Sequence, residues 1–207
     1  MLNLLMSNAV RFVGALGLLG LMTVGAQALD RALTEAETNA INEISAHHSA
    51  VEQMAGRFIQ VDSQGHRNEG IFYLKRPNKI RFKYAPPSYE EVISVGKGFY
   101  VINRKDRSKF AYPQSRVPLR QFLSDEIDLF STNINDVVMT EEMIAVSVSD
   151  DTPAGPVSIT MIFNLETKDI QQWTLTEPNG NEVTFSIYDA TTEIDIPKAY
   201  FYLPDYQ

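Results

Sequence analysis

The chain has 207 residues, no cysteine and a formal net charge of −8, from 26 acidic and 18 basic side chains. This acidic balance disfavours nucleic acid and anionic membrane surfaces as main partners. The absence of cysteine excludes a disulfide framework, so a domain of this size must be stabilised by its hydrophobic core.

Residues 1–28 have the three parts of a cleaved secretory signal peptide. Arg11 is the only charge, residues 12–24 are nearly all apolar, and Ala26-Gln-Ala28 is a small-residue cleavage site. As a helix the apolar run is roughly 20 Å long, too short for a hydrocarbon core of roughly 30 Å. Cleavage is therefore favoured over the alternative of a retained amphipathic anchor. No cysteine follows Ala28, so we expect a free, soluble product without lipid attachment.

Removing 28 of the 207 residues leaves 179, enough for one domain over residues 29–207, and the loss of Arg11 makes its net charge −9. The first predicted element of this domain is a helix. Thr34 and Glu37 have the spacing of a capping box, and Gly56 is the predicted end. The helix carries an apolar stripe at spacings of three and four, formed by Ile41, Ile44, His48 and Val51.

After this helix, apolar and polar residues alternate along the chain as they do in β-strands. Alternating or apolar runs predict strands over residues 58–61, 70–75, 79–84, 91–95 and 99–103, with Gly96-Lys-Gly98 as a hairpin turn. At residues 117–130 the period changes to that of a helix or two short helices, with Ser124-Asp125 as a candidate break. Its apolar side is formed by Leu119, Phe122, Leu123, Ile127 and Phe130.

Further strands are predicted over residues 136–140, 143–149, 157–165, 170–177, 183–188 and 199–203. Pro178-Asn-Gly-Asn181 is a strong hairpin signal. Ten or eleven strands with local antiparallel pairings exceed the usual four to six of an open sheet, so this sheet must curl. The predicted fold is mainly β with a helical lid (α+β): a strongly curved, incomplete antiparallel β-barrel that encloses an apolar cavity covered by α-helices.

Arg76 is the unusual residue of this pattern. Because successive strand residues point to opposite faces, Arg76 lies in line with Phe72 and Leu74. Pro77-Asn78 turns the chain into the next strand, where Ile80, Phe82 and Tyr84 share a face. A guanidinium on an apolar face is costly unless its donors are paired, so another segment must cover it. The alternative is that Arg76 lies at a strand end and extends to water.

Several motifs resemble the periplasmic outer-membrane lipoprotein carrier family, LolA. They run through most of the domain in order: Phe58-x-Gln60, Leu74-Lys-Arg-Pro-Asn78, Pro86-Pro87, Val92-Ile-Ser, Gly96-Lys97 and Phe99-Tyr100. The Arg-Pro core and the Gly-Lys hairpin are the specific parts. The chain departs from the family pattern at Val95, where an acidic residue is common, and at residues 104–110, which are unusually basic.

The resemblance implies a soluble periplasmic chaperone, without a cofactor, that holds lipoprotein acyl chains in an apolar cavity. Its implied partners are acylated outer-membrane lipoproteins, an inner-membrane lipoprotein-releasing ABC transporter, and an outer-membrane acceptor that is a lipoprotein receptor or the membrane; a monomer is expected. The matching family Arg holds a lid shut through helix-end backbone carbonyls, a role that the resemblance gives to Arg76. The predicted acyl-binding residues are Phe72, Leu74, Ile80, Phe82, Tyr84, Val92, Phe122 and Trp173. The same apolar pattern also fits plain core packing.

Catalytic motifs have little support. The three histidines, His47, His48 and His66, have no metal-site spacing, and His48 fits the first helix stripe. The acidic pairs, Glu90-Glu91, Glu141-Glu142 and Asp150-Asp151, have adjacent side chains that point apart, which indicates solvated charges and not a catalytic dyad. We therefore expect no enzyme. The alternatives left open are a protein of the same fold that binds another lipid or senses envelope stress, and an exported lipid-modifying enzyme.

Overall fold

The computed structural model describes residues 29, 31–118, 120–152 and 155–206; the predicted signal peptide lies outside them. The described chain forms an α-helix packed on a single antiparallel sheet of eleven strands. The elements are α1 (Glu35–Ala50), β1 (Gln53–Asp62), β2 (Arg67–Lys75), β3 (Lys79–Tyr84), β4 (Glu90–Val95), β5 (Gly98–Asn103), β6 (Ser108–Pro113), β7 (Asn133–Met139), β8 (Met143–Thr152), β9 (Gly155–Asn164), β10 (Ile170–Thr176) and β11 (Glu182–Thr191).

The strand order is β6-β5-β4-β3-β2-β1-β11-β10-β9-β8-β7. Local hairpins build two meanders, and the pairing of β1 with β11 joins them into one sheet. Strands β6 and β7 are the edges, so the sheet does not close. The predicted incomplete antiparallel barrel is therefore confirmed, and the long-range β1–β11 pairing adds to the local pairings that the sequence indicated.

Helix α1 has the predicted start and a different end. The Thr34 side chain accepts from the Glu37 backbone and the Glu37 side chain accepts from the Thr34 backbone, as a capping box requires. The helix ends at Ala50, and Gly56, the predicted end, lies inside β1. A Cβ at Gly56 would lie 2.8 Å from the Phe72 ring, so this glycine permits close packing of a strand instead of ending the helix.

In the described part of residues 114–131, hereafter the lid segment, no α-helix is present, although one was predicted. These residues form short 3₁₀ helices at Gln114–Arg116, Arg120–Leu123 and Leu129–Ser131. The Asp128 side chain caps the last of these by accepting from the Phe130 backbone. Polar side chains that bond to nearby backbone compete with a continuous helix, which explains the break. Of the predicted apolar side, Leu123 and Ile127 are buried and Phe130 is exposed, whereas Leu119 lies outside the described residues.

Two further elements differ from the prediction. Strand β6 was not predicted, because most of its side chains are exposed and show no alternation. Residues 199–203 were predicted as a strand, but Lys198–Phe201 is a 3₁₀ helix that contacts β3 and β4. Phe201 is buried with Ala55 and Ile196 in a small cluster, so the C-terminal segment covers part of the outer face of the sheet.

The inner face of the sheet carries two hydrophobic clusters. The aliphatic half consists of β7–β10, whose apolar side chains pack against α1 through Ala40, Ile41 and Ile44. The aromatic half consists of β11 and β1–β6, and its cluster is covered by Val51 and Leu123. Helix α1 thus covers the aliphatic half together with Leu129 of the lid segment, whereas no α-helix of the described chain covers the aromatic half.

Candidate functional site

The register of the aromatic half aligns two rows of side chains on its inner face. Directly opposed residues of antiparallel strands share a face, so the pairings can be followed from β2 to β6. One row is formed by Phe72, Phe82, Val92, Val101 and Phe110. The other is formed by Leu74, Ile80, Ser94, Phe99 and Tyr112. Both rows begin in the buried cluster and end at the edge strand.

Aromatic rings fill the interior beside these rows. The Phe58 ring lies edge-on to Phe82 and to Tyr84, with centroids 5.2 and 5.1 Å away. Trp173 stacks on Phe185 with centroids 4.9 Å apart. The Tyr84 hydroxyl donates to the Gln60 side chain, and burial raises the pKa of Tyr84 above its ordinary value. These rings therefore pack against one another in the interior, where the Tyr84 hydroxyl is paired.

The structure brings seven of the eight predicted acyl-binding residues into one cluster. Four are buried: Phe72, Leu74, Tyr84 and Val92. Three are partly buried and pack against them: Ile80, Phe82 and Trp173. The eighth, Phe122, lies in the lid segment and packs with the aliphatic half, where its ring is 6.4 Å from the His48 ring. Their predicted role in acyl binding stays a prediction, since a filled core and a closed binding site have the same packing.

Open space lies elsewhere in this conformation. A groove of about 440 Å³ is lined by residues at the end of β2 and β3 and in the loop to β4, including Gly70, Pro86 and Tyr89. Of the predicted acyl-binding residues, only Tyr84 lines it. An acyl chain in this groove would contact Tyr84 but none of the other seven predicted residues.

Arg76 connects three parts of the molecule. It follows β2, and its guanidinium donates to the Val51 carbonyl at the end of α1 and, through Nε and Nη2 at 3.3 and 3.1 Å, to the Phe122 carbonyl of the lid segment. Burial lowers the pKa of Arg76, while Asp125 opposes this shift. The acceptors are main-chain carbonyls at the end of one helix and within another, which is the type of partner that the family resemblance implied. Paired in this way, the side chain does not extend freely to water.

Three more contacts hold the lid segment. Near Arg76, the Asn78 backbone N–H donates to the Leu123 carbonyl at 2.7 Å, and Gln114 Nε2 donates to Ser94 Oγ at 2.6 Å. On the aliphatic half, Arg120 forms an ion pair of 2.8 Å with Asp150. No local pattern signals this pair, because its members are thirty positions apart in the sequence.

The family model for the outer membrane lipoprotein carrier protein LolA matches residues 49–204, three quarters of the chain. The chain belongs to the LolA family. No curated protein sequence is significantly similar to it.

Solved structures give only distant similarities to this LolA family member. An uncharacterized conserved protein from Thermus thermophilus is 9% identical, with a TM-score of 0.49 over 82% of this chain and 96% of that one. A LolA superfamily protein from Nitrosomonas europaea is 6% identical, with a TM-score of 0.42 over 79% and 97%. The Pseudomonas aeruginosa MucA/MucB complex gives 12% identity and 0.48 over 80% and 61%. Similarities at this level carry no information about function.

The acidic pairs of this LolA family member are not all solvated. Glu91 is only 2% exposed and pairs with Arg81 at 2.5 Å and Arg104 at 3.1 Å. Asp150 is partly buried by its pair with Arg120. The prediction of solvated charges is therefore wrong for these two carboxylates, because basic residues distant in sequence reach them. Glu141 and Glu142 are exposed, as predicted.

Among the histidines, His48 is buried, with Nε2 3.0 Å from the Lys168 carbonyl. This distance fits an Nε2–H donor, since a carbonyl only accepts. Desolvation, with the charges of His47 and Arg76, lowers the pKa of His48 to about 4. Within the described ranges, no three His, Asp or Glu side chains are grouped to hold a metal ion. No helix in the described part of the chain is long and apolar enough to cross a membrane.

Proposed function

We propose that this protein is a periplasmic, non-enzymatic carrier that holds the acyl chains of outer-membrane lipoproteins between its aromatic half and the lid segment. The observation that carries the proposal is the position of Arg76. It joins α1 and the lid segment by hydrogen bonds to two main-chain carbonyls, directly beside the aromatic cluster. Through these bonds Arg76 holds the lid segment over the aromatic cluster, and no α-helix has to cover it permanently.

The energetics of acyl burial require such an opposing interaction. At about 0.8 kcal/mol per buried CH₂, a chain of about 14 methylenes gains about 11 kcal/mol before ordering costs. Three such chains would exceed the practical limit of non-covalent affinity, near 20 kcal/mol. A carrier must release its cargo, so the closed state has to compete with the loaded one. Here the competing contacts are the protein's own rings and Leu123, which occupy the interior when the lid segment is closed.

Opening the lid segment has a definite cost. Hydrogen bonds from a charged donor contribute about 1.5 to 3 kcal/mol each, and Arg76 loses those to Phe122 when the segment moves away. Loading would offset this cost by apolar burial. Release to an acceptor would be assisted by re-formation of the same bonds. The proposed partners are an inner-membrane lipoprotein-releasing ABC transporter as donor and an outer-membrane receptor or membrane as acceptor, with the carrier acting as a monomer.

The test is the identity of the bound molecule. The protein is purified from the periplasm under mild conditions, and the co-purified lipids and lipopeptides are identified by mass spectrometry. Intact triacylated lipopeptides would support the proposal. Free phospholipid instead would favour a protein of the same family that binds another lipid or senses envelope stress. A purified protein that neither carries an acylated molecule nor binds a synthetic triacylated lipopeptide would overturn the proposal.

A matched pair of variants locates the site. Phe82→Asp places a charge on the inner face of the aromatic half, whereas Tyr202→Asp places the same charge at an exposed position in the C-terminal segment. We expect lipopeptide binding to fall at least tenfold for Phe82→Asp and to remain within twofold for Tyr202→Asp. Thermal unfolding of both variants checks that the fold is retained. Equal binding by the two folded variants would place the acyl chains elsewhere.

A further inference from the structure

The turn between β5 and β6 and the strand that follows have a charge opposite to the rest of the molecule. Residues 104–113 contain four basic residues and the single acidic residue Asp106, a net charge of +3, in a chain of net charge −8. The family fold does not explain this difference, because most of these side chains are exposed.

Most of these cations have no acidic partner. Arg104 pairs with Glu91. Among the described residues, no carboxylate forms an ion pair with Lys105, Arg107 or Lys109. Lys105 lies 5.7 Å from the ring centre of Tyr89, Arg107 lies 5.6 Å from that of Tyr206, and Lys109 donates to the Pro204 carbonyl at 3.3 Å. Three exposed cations are therefore held beside aromatic rings and a carbonyl, with their charge uncompensated.

The adjoining edge strand exposes aromatic side chains on the inner face. Phe110 and Tyr112 end the two rows that begin at Phe72 and Leu74, yet they are 43% and 37% exposed. Strand β6 has a neighbour on one side only. The lid segment begins directly after it, at Gln114. The apolar inner face thus reaches the surface at the strand that precedes the lid segment.

We propose that the β5–β6 turn and the exposed edge of β6 are a docking surface for an anionic lipid bilayer. With the edge of β6 against the bilayer, Lys105, Arg107 and Lys109 would contact lipid phosphates on the outer side of that edge, and Phe110 and Tyr112 would lie at the level of the headgroups on its inner side. Basic residues combined with aromatic ones are typical of surfaces that bind the membrane interface. In this orientation the inner face opens toward the bilayer, a consequence that rests on the proposed carrier function.

An acidic protein segment is the competing partner, and it fits less of the surface. A strand added along β6 would pair with Ser108–Pro113. It would leave Lys105 and Arg107, which precede the strand, beyond its end. A bilayer contacts the turn and the strand at once, so it accounts for both the charges and the exposed rings.

The experiment measures binding of the purified protein to vesicles of phosphatidylcholine and phosphatidylglycerol (3:1) and to vesicles of phosphatidylcholine alone. The test variant carries Lys105→Gln, Arg107→Gln and Lys109→Gln. The control carries Arg57→Gln, Arg67→Gln and Lys198→Gln, which change the net charge equally at other exposed positions. We expect wild type and control to bind the anionic vesicles within twofold of each other and the test variant to bind at least tenfold more weakly.

Two further measurements distinguish the contribution of the basic residues to vesicle binding from that of the aromatic residues. Raising the salt from 0.15 to 0.5 M should release the wild type, because the contact is electrostatic. A Phe110→Ser, Tyr112→Ser variant should bind more weakly while keeping the same relative dependence on salt. Absence of binding to anionic vesicles, or equal losses in the two triple variants, would overturn the proposal. So would wild-type binding to soluble polyglutamate that is as tight as binding to vesicles, since the surface would then belong to an acidic protein.

Lipopeptide binding in the absence of vesicles distinguishes this proposal from the carrier function. The triple test variant should bind the lipopeptide as the wild type does. A protein that binds vesicles through residues 104–113 but binds no lipopeptide would retain the docking surface and lose the proposed function.

Discussion

The two halves of the inner face use the same sheet and differ in what covers them. In the aliphatic half, α1 contributes residues that are almost wholly buried against β7–β10, such as Ile41 and Ile44. In the aromatic half, the cover includes Leu123 from a short 3₁₀ helix, whose carbonyls accept hydrogen bonds from the Arg76 guanidinium and the Asn78 backbone N–H. A regular helix that buries a whole stripe is costly to displace, whereas the lid segment covers the aromatic cluster with one side chain on a short turn.

The two halves also differ in the side chains that they bury. The aliphatic half holds branched and unbranched aliphatic side chains with one phenylalanine, Phe163, which pack densely around the helix. The aromatic half has flat rings, several of them only partly buried, including Phe82, and Trp173 of β10 packs against both clusters. We therefore expect changes to the lid segment to alter ligand binding and changes to α1 to alter stability.

Locking the lid segment should have the largest effect on binding. The backbones of Asn78 and Leu123 already share a hydrogen bond of 2.7 Å, and the chain has no cysteine, so Asn78→Cys with Leu123→Cys offers a single possible disulfide. In the oxidised form we expect lipopeptide binding to be lost, because the segment cannot move. The reduced form of the same variant is the control and should bind. Full binding by the oxidised form would show that the chains do not enter beneath the lid segment.

Truncation of one leucine or isoleucine on each side compares the two covers directly. Ile44→Ala removes a fully buried side chain of α1 and should lower the free energy of unfolding by about 2 to 5 kcal/mol. Leu123→Ala should lie at the low end of that range, about 2 kcal/mol, because the short segment can relax into the space, and lipopeptide binding should persist. Urea unfolding of both variants measures the difference. Equal losses would indicate that both halves are permanent core.

The alternation of strand residues made most of the sheet predictable. The turns at Pro77-Asn78 and Gly96-Lys-Gly98 and the hairpin at Asn179-Gly180 lie where their residue types require. Asn78, Gly96 and Gly180 have positive φ, which asparagine and glycine adopt readily. The presence of a cation beside Phe72 and Leu74 likewise predicted that Arg76 must be covered. Local rules sufficed for these features.

The remaining features depend on contacts between distant parts of the chain. The lid segment has helical spacing, but two hydrogen bonds fix it as short turns. The Asp128 carboxylate accepts from the Phe130 backbone N–H, and the Ser49 hydroxyl accepts from the Ile127 backbone N–H. The Lys198–Phe201 segment packs on the outer face and does not add a strand. The Arg120–Asp150 ion pair was missed for the same reason. Sequence periodicity does not encode which distant partner a segment meets.

Arg76→Leu tests the contact that closes the aromatic half. Leucine fits beside Phe72 and Leu74, so the fold should survive, while the hydrogen bonds to Val51 and Phe122 are lost. We expect loading to continue and transfer of a labelled lipoprotein to outer-membrane vesicles to fall about tenfold, because re-closure no longer opposes acyl burial. Arg76→Lys should be intermediate, since it keeps the charge without the planar fork.

Two results would contradict this role of Arg76. If Arg76→Leu transfers lipoprotein at the wild-type rate, Arg76 does not hold the lid segment closed, and the alternative of a side chain that extends from a strand end is favoured. If Arg76→Leu instead unfolds at a much lower temperature than the wild type, the main role of Arg76 is to stabilise the fold. Arg57→Leu, at an exposed position of β1, is the control for loss of a surface arginine and should transfer normally.

His48 lies where the two halves meet. Its protonation should change the free energy of unfolding, and this is the smallest of the predicted effects. Its ring contacts Phe163 of the aliphatic half and Phe122 of the lid segment, and Nε2 is bonded to the Lys168 carbonyl. Desolvation, His47 and Arg76 lower the pKa of His48 from 6.5 to about 4, although Asp169 acts in the opposite direction. The folded protein therefore holds a neutral imidazole through the range in which the unfolded chain takes up a proton.

The sign of the pH effect follows from this difference. The unfolded state binds the proton first, so the free energy of unfolding should be constant above about pH 7 and fall as the pH drops from 6.5 toward 4. Between pH 7 and 5.5 this one group should contribute a loss of about 1 kcal/mol. Urea unfolding of wild type, His48→Gln and His66→Gln at both pH values separates it from other groups. Glutamine at position 48 can still donate to the Lys168 carbonyl but does not titrate, so that variant should lose about 1 kcal/mol less than the other two. An identical pH dependence in all three proteins would mean that the imidazole meets solvent, and that the boundary between the halves is open even without cargo.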